Sequence, residues 1–203
     1  MDATAAATLF AWMDREIWLV TAQAVGKRGG LIGTSINQAS IVPDLPRVSV
    51  TIAKQHHTWD LIEASGVFAL HLLAANNLDL VWRFGLESGR TVDKFEGIEA
   101  KTSAMGNPLV VGTIGWLDCR VEARLDIGDR TVYVADVVEG EVTNFAPPLM
   151  TTRLMELASP SQLTRLQRDR HLDGYRDTDA ILAWRAPRAS GTKSHQEKTS
   201  CDP

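Results

Sequence analysis

Cysteine is nearly absent: Cys119 and Cys201 are the only two in 203 residues. One falls in a strand-like run and the other in a polar tail, so the chain has neither a disulfide framework nor a Cys-x-x-Cys redox or zinc pair. That scarcity fits the cytoplasm. A basic excess is also missing, since the net charge is -4, which gives nucleic acid and anionic lipid no general attraction. No apolar run approaches the roughly 20 residues that span a bilayer. The opening MDATAAATLFAWMDREIWLV has no basic leader and is broken by Asp14, Arg15 and Glu16, so it reads as mature structure. Catalytic signatures are missing as well. There is no G-x-S-x-G elbow, no G-x-x-x-x-G-K-S/T loop, no evident Cys–His pairing and no G-x-G-x-x-G opening a helix. Acyl transfer, P-loop phosphoryl transfer and a Rossmann site therefore lack support, and the chemistry points to a borrowed cofactor.

What is present is the pattern of one globular core with many short strands. Val48 to Ala53 alternates apolar with small residues, the period of a half-buried strand. Ile17 to Val25, Leu31 to Ser35, Val67 to Leu73, Ile114 to Leu125 and Arg130 to Glu141 read the same way, with GKRGG at 26–30 as the turn of a first hairpin and Gly128-Asp129 as the turn of a last one. Helices are expected at Ala5 to Met13, 58–65 and Asn76 to Gly85. A loop is expected through Ala104, and the proline-marked NQASIVPDLP should be an exposed connection. Such density of strands argues for a closed or nearly closed antiparallel barrel. After Pro147 the pattern turns helical: one segment carries Leu149, Met150, Leu154 and Leu157, a second begins at Ser159-Pro160 and ends near Gly174, and a short third carries Ile181, Leu182 and Trp184. The division expected is a barrel over 1–147, a helical extension over 148–185 and a disordered tail over 186–203.

Two constellations carry candidate chemistry. In GTSINQAS, residues 33–40, Thr34, Ser35, Asn37, Gln38 and Ser40 place many hydrogen-bonding groups at a strand end, suited to a planar polar ligand or equally to a solvated loop. In AKQHHT, residues 53–58, Lys54, His56, His57 and Thr58 gather where a helix begins, an anion cradle or an ordinary polar helix entry. Adjacent histidines on an extended chain diverge, which disfavours a metal site. His71, in VFALHLL, reads as a hydrogen-bonded core histidine. Arg130, at a strand start, has a planar charge suited to phosphate or carboxylate.

Four stretches in this order resemble the flavin reductase-like family: VTAQAVGKRGGLIGTSINQAS, VSVTIAKQHHTWDLIEASGVFALHLL, RFGLESGRTVDKFEG and WLDCRVEARLDIGDRTVYVADVV. The resemblance implies an FMN-binding split barrel, mainly β, with flanking helices, working as a homodimer. It implies an FMN-dependent NAD(P)H oxidoreductase that passes hydride to flavin and onward to free flavin, a partner oxygenase or another acceptor. A flavoredoxin-like electron carrier and a non-catalytic ligand-binding module are the alternatives. By the same resemblance Thr34, Ser35, Ile36, Asn37 and Ser40 face the ring and ribityl chain, Lys54, His57 and Thr58 meet the phosphate, and Phe84, Lys94 and Phe95 approach the flavin. Arg130 stands where many relatives carry a histidine. Since arginine does not titrate near neutral pH, it is expected to orient NAD(P)H and not to donate a proton.

Overall fold

The structure, a computed structural model, describes residues 3–189. In chain order these form α1 (Ala3–Ala11), β1 (Trp18–Ala24), β2 (Lys27–Gly33), β3 (Ile36–Gln38), β4 (Arg47–Ala53), α2 (His57–Ser65) and β5 (Val67–Leu72). A helical turn at Ala75–Asn77 leads into α3 (Leu78–Leu86), β6 (Ala100–Thr102), β7 (Pro108–Val110), β8 (Gly115–Asp126), β9 (Arg130–Val142), α4 (Thr151–Leu157) and α5 (Pro160–Ala189).

Seven strands pair antiparallel in the order β2-β1-β5-β8-β9-β4-β3. The two outermost strands, β2 and β3, are consecutive in the chain and joined by Thr34 and Ser35 alone. Such a link spans about 10 Å at most, whereas seven strands laid flat would hold their outer edges nearly 30 Å apart, roughly 4.8 Å per strand. The sheet therefore curls until its edges approach, as the strand density led us to expect. A Cβ added to Gly33 would sit 2.9 Å from Ile36 Cδ1 across that seam. Register shifts between Asp118 and Cys119 and between Val121 and Ala123 help bend the long β8–β9 ribbon.

Strand alternation decides what fills the curl. Val20, Ala22, Val50, Ile52, Phe68, Leu70, Tyr133 and Ala135 point inward, and α2 closes one end with Leu61 and Ile62. A second core lies on the outer face, where Leu19 and Leu73 meet Leu80, Val81 and Phe84 of α3 and Phe95, Leu149 and Leu154. Each such side chain contributes about 1.5–3 kcal/mol on burial.

The same outer face carries a buried polar strip. Thr21 pairs with Ala69 and Ala69 with Asp118, so Thr21, His71 and Asp118 share one face of β1, β5 and β8. Together they fasten the β7 segment: Thr21 Oγ1 donates to Pro108 O at 2.6 Å, the Val110 N–H donates to His71 Nε2 at 3.0 Å, and Asn107 Nδ2 donates to Asp118 Oδ1 at 2.7 Å. Because His71 Nε2 accepts, its proton sits on Nδ1, 3.2 Å from Leu19 O. His71 is the core histidine expected from its setting. Cys119, next to Asp118, is fully buried.

Several local features differ from the sequence expectation, among them β3, which takes Asn37 and Gln38 from the stretch expected as an exposed connection and pairs them with β4. The first turn is Val25-Gly26, not GKRGG: Ala24 pairs with Lys27, and the two turn residues adopt φ of 50° and 72°, the tight hairpin geometry that suits twisted strands. Gly29 and Gly30 lie inside β2 because helices press on them, a Cβ there reaching within 2.8 Å of Leu61 and 2.7 Å of Phe84. The stretch expected as loop through Ala104 contains β6, which pairs with β7. Finally, α5 is one helix running through Gly174 to Ala189, past position 186 where the tail was expected to start. The remainder of that tail, Cys201 included, lies outside the described residues.

The helical region also starts inside the main core. Leu149 exchanges backbone hydrogen bonds with both neighbours of the second core, Ile17 N–H donating to Leu149 O at 2.8 Å and Leu149 N–H to Leu73 O at 2.7 Å. Asp14 caps α4 by accepting the Thr152 N–H at 2.9 Å, and that bond, with the Thr151 hydroxyl, holds its carboxyl below the usual range.

Candidate functional site

At the joint between β4 and α2, His56 occupies the N-cap position in extended conformation without a side-chain cap hydrogen bond. The N–H groups of His57 and Thr58 are thus left for an outside partner, that of Trp59 donating to His56 O at 3.0 Å, and the helix dipole adds to their pull on an anion. A cavity of about 260 Å³ opens there, lined by His56, His57, Thr58 and Lys94 together with Asp173 and Arg176 of α5.

Lys94 is nearly buried, and its Nζ donates to Gly30 O at 3.0 Å and Phe84 O at 2.8 Å, so the ammonium ties β2 to α3 at the cavity wall. Burial lowers its pKa to about 8, with Glu87 opposing; it remains largely protonated at neutral pH. His56 is open to solvent on one side. Crowding by the cavity walls nonetheless lowers its pKa, against the pull of Asp173 and with the help of Lys94, Arg130 and Arg176.

The expected site residues divide into separate groups. His57, Thr58, Phe84 and Lys94 share the cavity. Ile36, Asn37 and Ser40 line another groove of about 570 Å³ with Trp18, Leu117 and Val137. Thr34 and Ser35 form the seam between β2 and β3, where Ser35 O accepts the Thr51 N–H at 3.0 Å. Lys54 turns away from the cavity, its Nζ 2.6 Å from Asp126 Oδ2. Phe95 is a core residue rather than a cavity wall: it is 2% exposed and meets Phe84 edge to face with ring centroids 5.1 Å apart. Arg130 is held between Asp129 and Asp177, at 2.8 and 2.9 Å.

Asp173 and Arg176 were missed from sequence. They lie three apart on α5 and pair with each other, an acid–base spacing that marks one helix face but not what that face covers. Helix α5 reaches the cavity because it is fastened at several points along its length. Arg165 bonds Glu87 at 3.0 Å, Asp177 bonds Arg130, and Trp184 Nε1 donates to Asp126 O at 2.9 Å. Gly128, at φ 100°, permits this approach, since a Cβ there would lie 2.9 Å from Ala180 O.

A curled antiparallel sheet with flanking helices and an anion-seeking corner defines a split-barrel class of small-ligand protein. Within that class, residues 10–155 match the flavin reductase like domain. The chain belongs to that family, and its chemistry is flavin oxidoreduction. It is 27% identical over 135 residues to a ferric-chelate reductase (NAD(P)H) of Archaeoglobus fulgidus, covering 66% of this chain and 79% of that one. It is 34% identical over 99 residues to HsaB, the reductase subunit of a flavin-dependent monooxygenase of Mycobacterium tuberculosis, covering 49% of this chain and 51% of the relative. The chain therefore spans about half the length of that second relative. Among solved structures, nitrilotriacetate monooxygenase component B from Mycobacterium thermoresistibile superposes with a TM-score of 0.66 at 27% identity, over 79% of this chain and 93% of the other. Helix α5 falls after the family match.

The corner fits the phosphate of a flavin nucleotide. It offers uncapped helix N–H groups, the Thr58 side chain and the Lys94 charge, and Gly89 keeps the wall opposite His57 bare, since a Cβ there would come to 3.3 Å from His57 Cδ2.

Proposed function

We propose that the chain is an FMN-dependent flavin reductase that draws hydride from NADH or NADPH and passes electrons to free flavin, a partner oxygenase or another acceptor. The observation that carries this reading is the convergence of the uncapped start of α2 with His57, Thr58 and Lys94 on one cavity. FMN, when bound, supplies the ring that accepts hydride. The chain's own residues bind and orient. His57, Thr58 and the first N–H groups of α2 hold the phosphate, and Lys94 fixes the cavity wall while adding positive charge. Thr34, Ser35, Ile36, Asn37 and Ser40 border the ring and ribityl chain, and Arg130 orients the reduced nicotinamide once Asp177 releases it. No side-chain nucleophile is required, because two rings held in contact with water excluded account for the rate gain.

An oxygenase partner is supported by the relatives that serve monooxygenases, HsaB being the reductase subunit of one. A homodimer is supported by apolar surface that a second copy would cover: Trp18, Leu117 and Val137 along the groove, and exposed Leu9, Phe10 and Trp12. Anaerobic spectrophotometry of the full chain with FMN tests the activity. Uptake of FMN followed by bleaching with NADH or NADPH is expected. Bleaching only by a reduced protein would make the chain an electron carrier, and no uptake would refute the reading.

A further inference from the structure

Helix α5 follows the family match and yet supplies part of the wall around the anion corner. With the histidines neutral, the charged lining of that cavity is three carboxylates, Glu87, Asp169 and Asp173, against two cations, Lys94 and Arg176, an odd balance for a space that seeks phosphate. Arg165 pairs with Glu87 at 3.0 Å and reaches Asp169 at 3.8 Å. Asp173 has its partner on α5 itself, Arg176. Burial lowers the pKa of His56, the N-cap residue of α2, and of the charges that act on that ring Asp173 acts most strongly. A carboxylate of the chain's own thus stands near the helix start that draws anions. The helix carrying it is lightly held. No side chain between 160 and 186 is buried, and half-buried positions recur every three or four residues from 162 to 184, so a single stripe faces the body. The ties that fasten α5 are hydrogen bonds and ion pairs, from Arg165 to Leu86 O and Glu87, from Asp177 to Arg130 and from Trp184 to Asp126 O. A segment held in this way opens more readily than the strands beneath it.

We propose that Asp173 is a built-in competitor for the phosphate, carried on α5 as a displaceable strap, and that the contest between the two anions sets how tightly the chain holds its flavin nucleotide. The proposal rests on the flavin reading for the identity of the ligand, while the competition itself needs only a phosphoryl group. A dianion at the first N–H groups of α2 would stand beside the Asp173 carboxylate, and like charges so placed repel. Moving Asp173 away relieves that repulsion and leaves Arg176 without its partner. The planar fork of Arg176 suits phosphate as well as carboxylate, so it can change from one anion to the other. Either movement loosens α5 at its middle, four residues before the tie of Asp177 to Arg130.

Calorimetric titration of the full chain with inorganic phosphate tests the competition without flavin. Asp173→Asn is expected to bind phosphate about tenfold more tightly than wild type. Asp179→Asn removes the same charge from an exposed position on the same helix and should bind phosphate as wild type does, and thermal melting checks that both variants fold. Amide hydrogen exchange reads the strap: saturating phosphate should speed exchange across α5 in wild type and leave it unchanged in Asp173→Asn. Failure of phosphate to bind both wild type and Asp173→Asn, equal affinity in those two proteins, or equal tightening in Asp179→Asn overturns the proposal. So does slower or unchanged exchange across α5 when phosphate binds wild type, which would make the helix a clamp or a bystander. FMN is titrated in parallel. Tighter phosphate binding in Asp173→Asn with no uptake of FMN by any of the three proteins retains the competitor and refutes the flavin reading alone.

Discussion

Arg130 Nη2 donates to Asp177 Oδ2 at 2.9 Å, tying the start of β9 to the middle of α5. Arg130 also bonds Asp129, so the guanidinium that the sequence resemblance assigns to NAD(P)H is engaged on both sides. A half-buried pair that solvent still reaches contributes modestly to stability, and an anionic cosubstrate can compete with it.

Asp177→Asn keeps the shape of the contact and removes its charge. The KM for the reduced nicotinamide is expected to fall by about threefold, the scale of one surface pair, with steeper salt dependence as Arg130 is freed. Steady-state kinetics at two salt concentrations check this. An unchanged KM at both would remove Arg130 from the path of the cosubstrate.

His71 gives the fold an acid limit. Burial lowers its pKa from 6.5 to about 4, with the Leu19 carbonyl opposing. As pH falls, the unfolded chain takes up this proton before the folded one does. The stability tied to neutral His71 is complete above pH 6.5 and drains away toward pH 4, a loss of about 3 kcal/mol. Melting curves for wild type and His71→Gln should diverge in that window, wild type falling faster. Parallel curves would show that His71 titrates no differently when folded.

Asp118 and Asn107 meet in the buried strip with one donor between them. Asn107 Nδ2 bonds Asp118 Oδ1, and Asp118 Oδ2 and Asn107 Oδ1 are left buried without a partner. Asp118→Asn adds an amide donor to two acceptors and is expected to hold or raise Tm. Asp118→Ala strands the Asn107 amide and should cost about 1–3 kcal/mol. Equal losses in both variants would mean that the carboxylate itself is required.

The barrel could be read from sequence because its strands alternate cleanly and its last turn, Gly128-Asp129, is local chemistry. The first hairpin could not. Gly29 and Gly30 look like turn residues until Leu61 and Phe84, far along the chain, press against β2 and require bare backbone there. Gly174 misled for the opposite reason. Nothing lies within 4 Å of its would-be Cβ, and a helix secured by Arg165, Asp177 and Trp184 absorbs the roughly 1 kcal/mol that glycine costs.

The anion corner showed in sequence as neighbouring residues, His57 and Thr58, at a helix start. Its other members are brought in by contacts between distant segments. Lys94 arrives from 36 positions beyond Thr58 to bond Gly30 O and Phe84 O. Lys54 is drawn off by Asp126, a pairing across 72 positions that local pattern does not report. Arg176 reaches the cavity on a helix that the family match does not include.

Cys119 has a consequence for survival under oxidative load. Reduced flavin that meets oxygen yields peroxide, and peroxide attacks thiolates. With no exposed surface and a thiol pushed well above its ordinary pKa by burial, this sulfur presents neither an open path nor an ionised form, and sustained turnover in air leaves it intact.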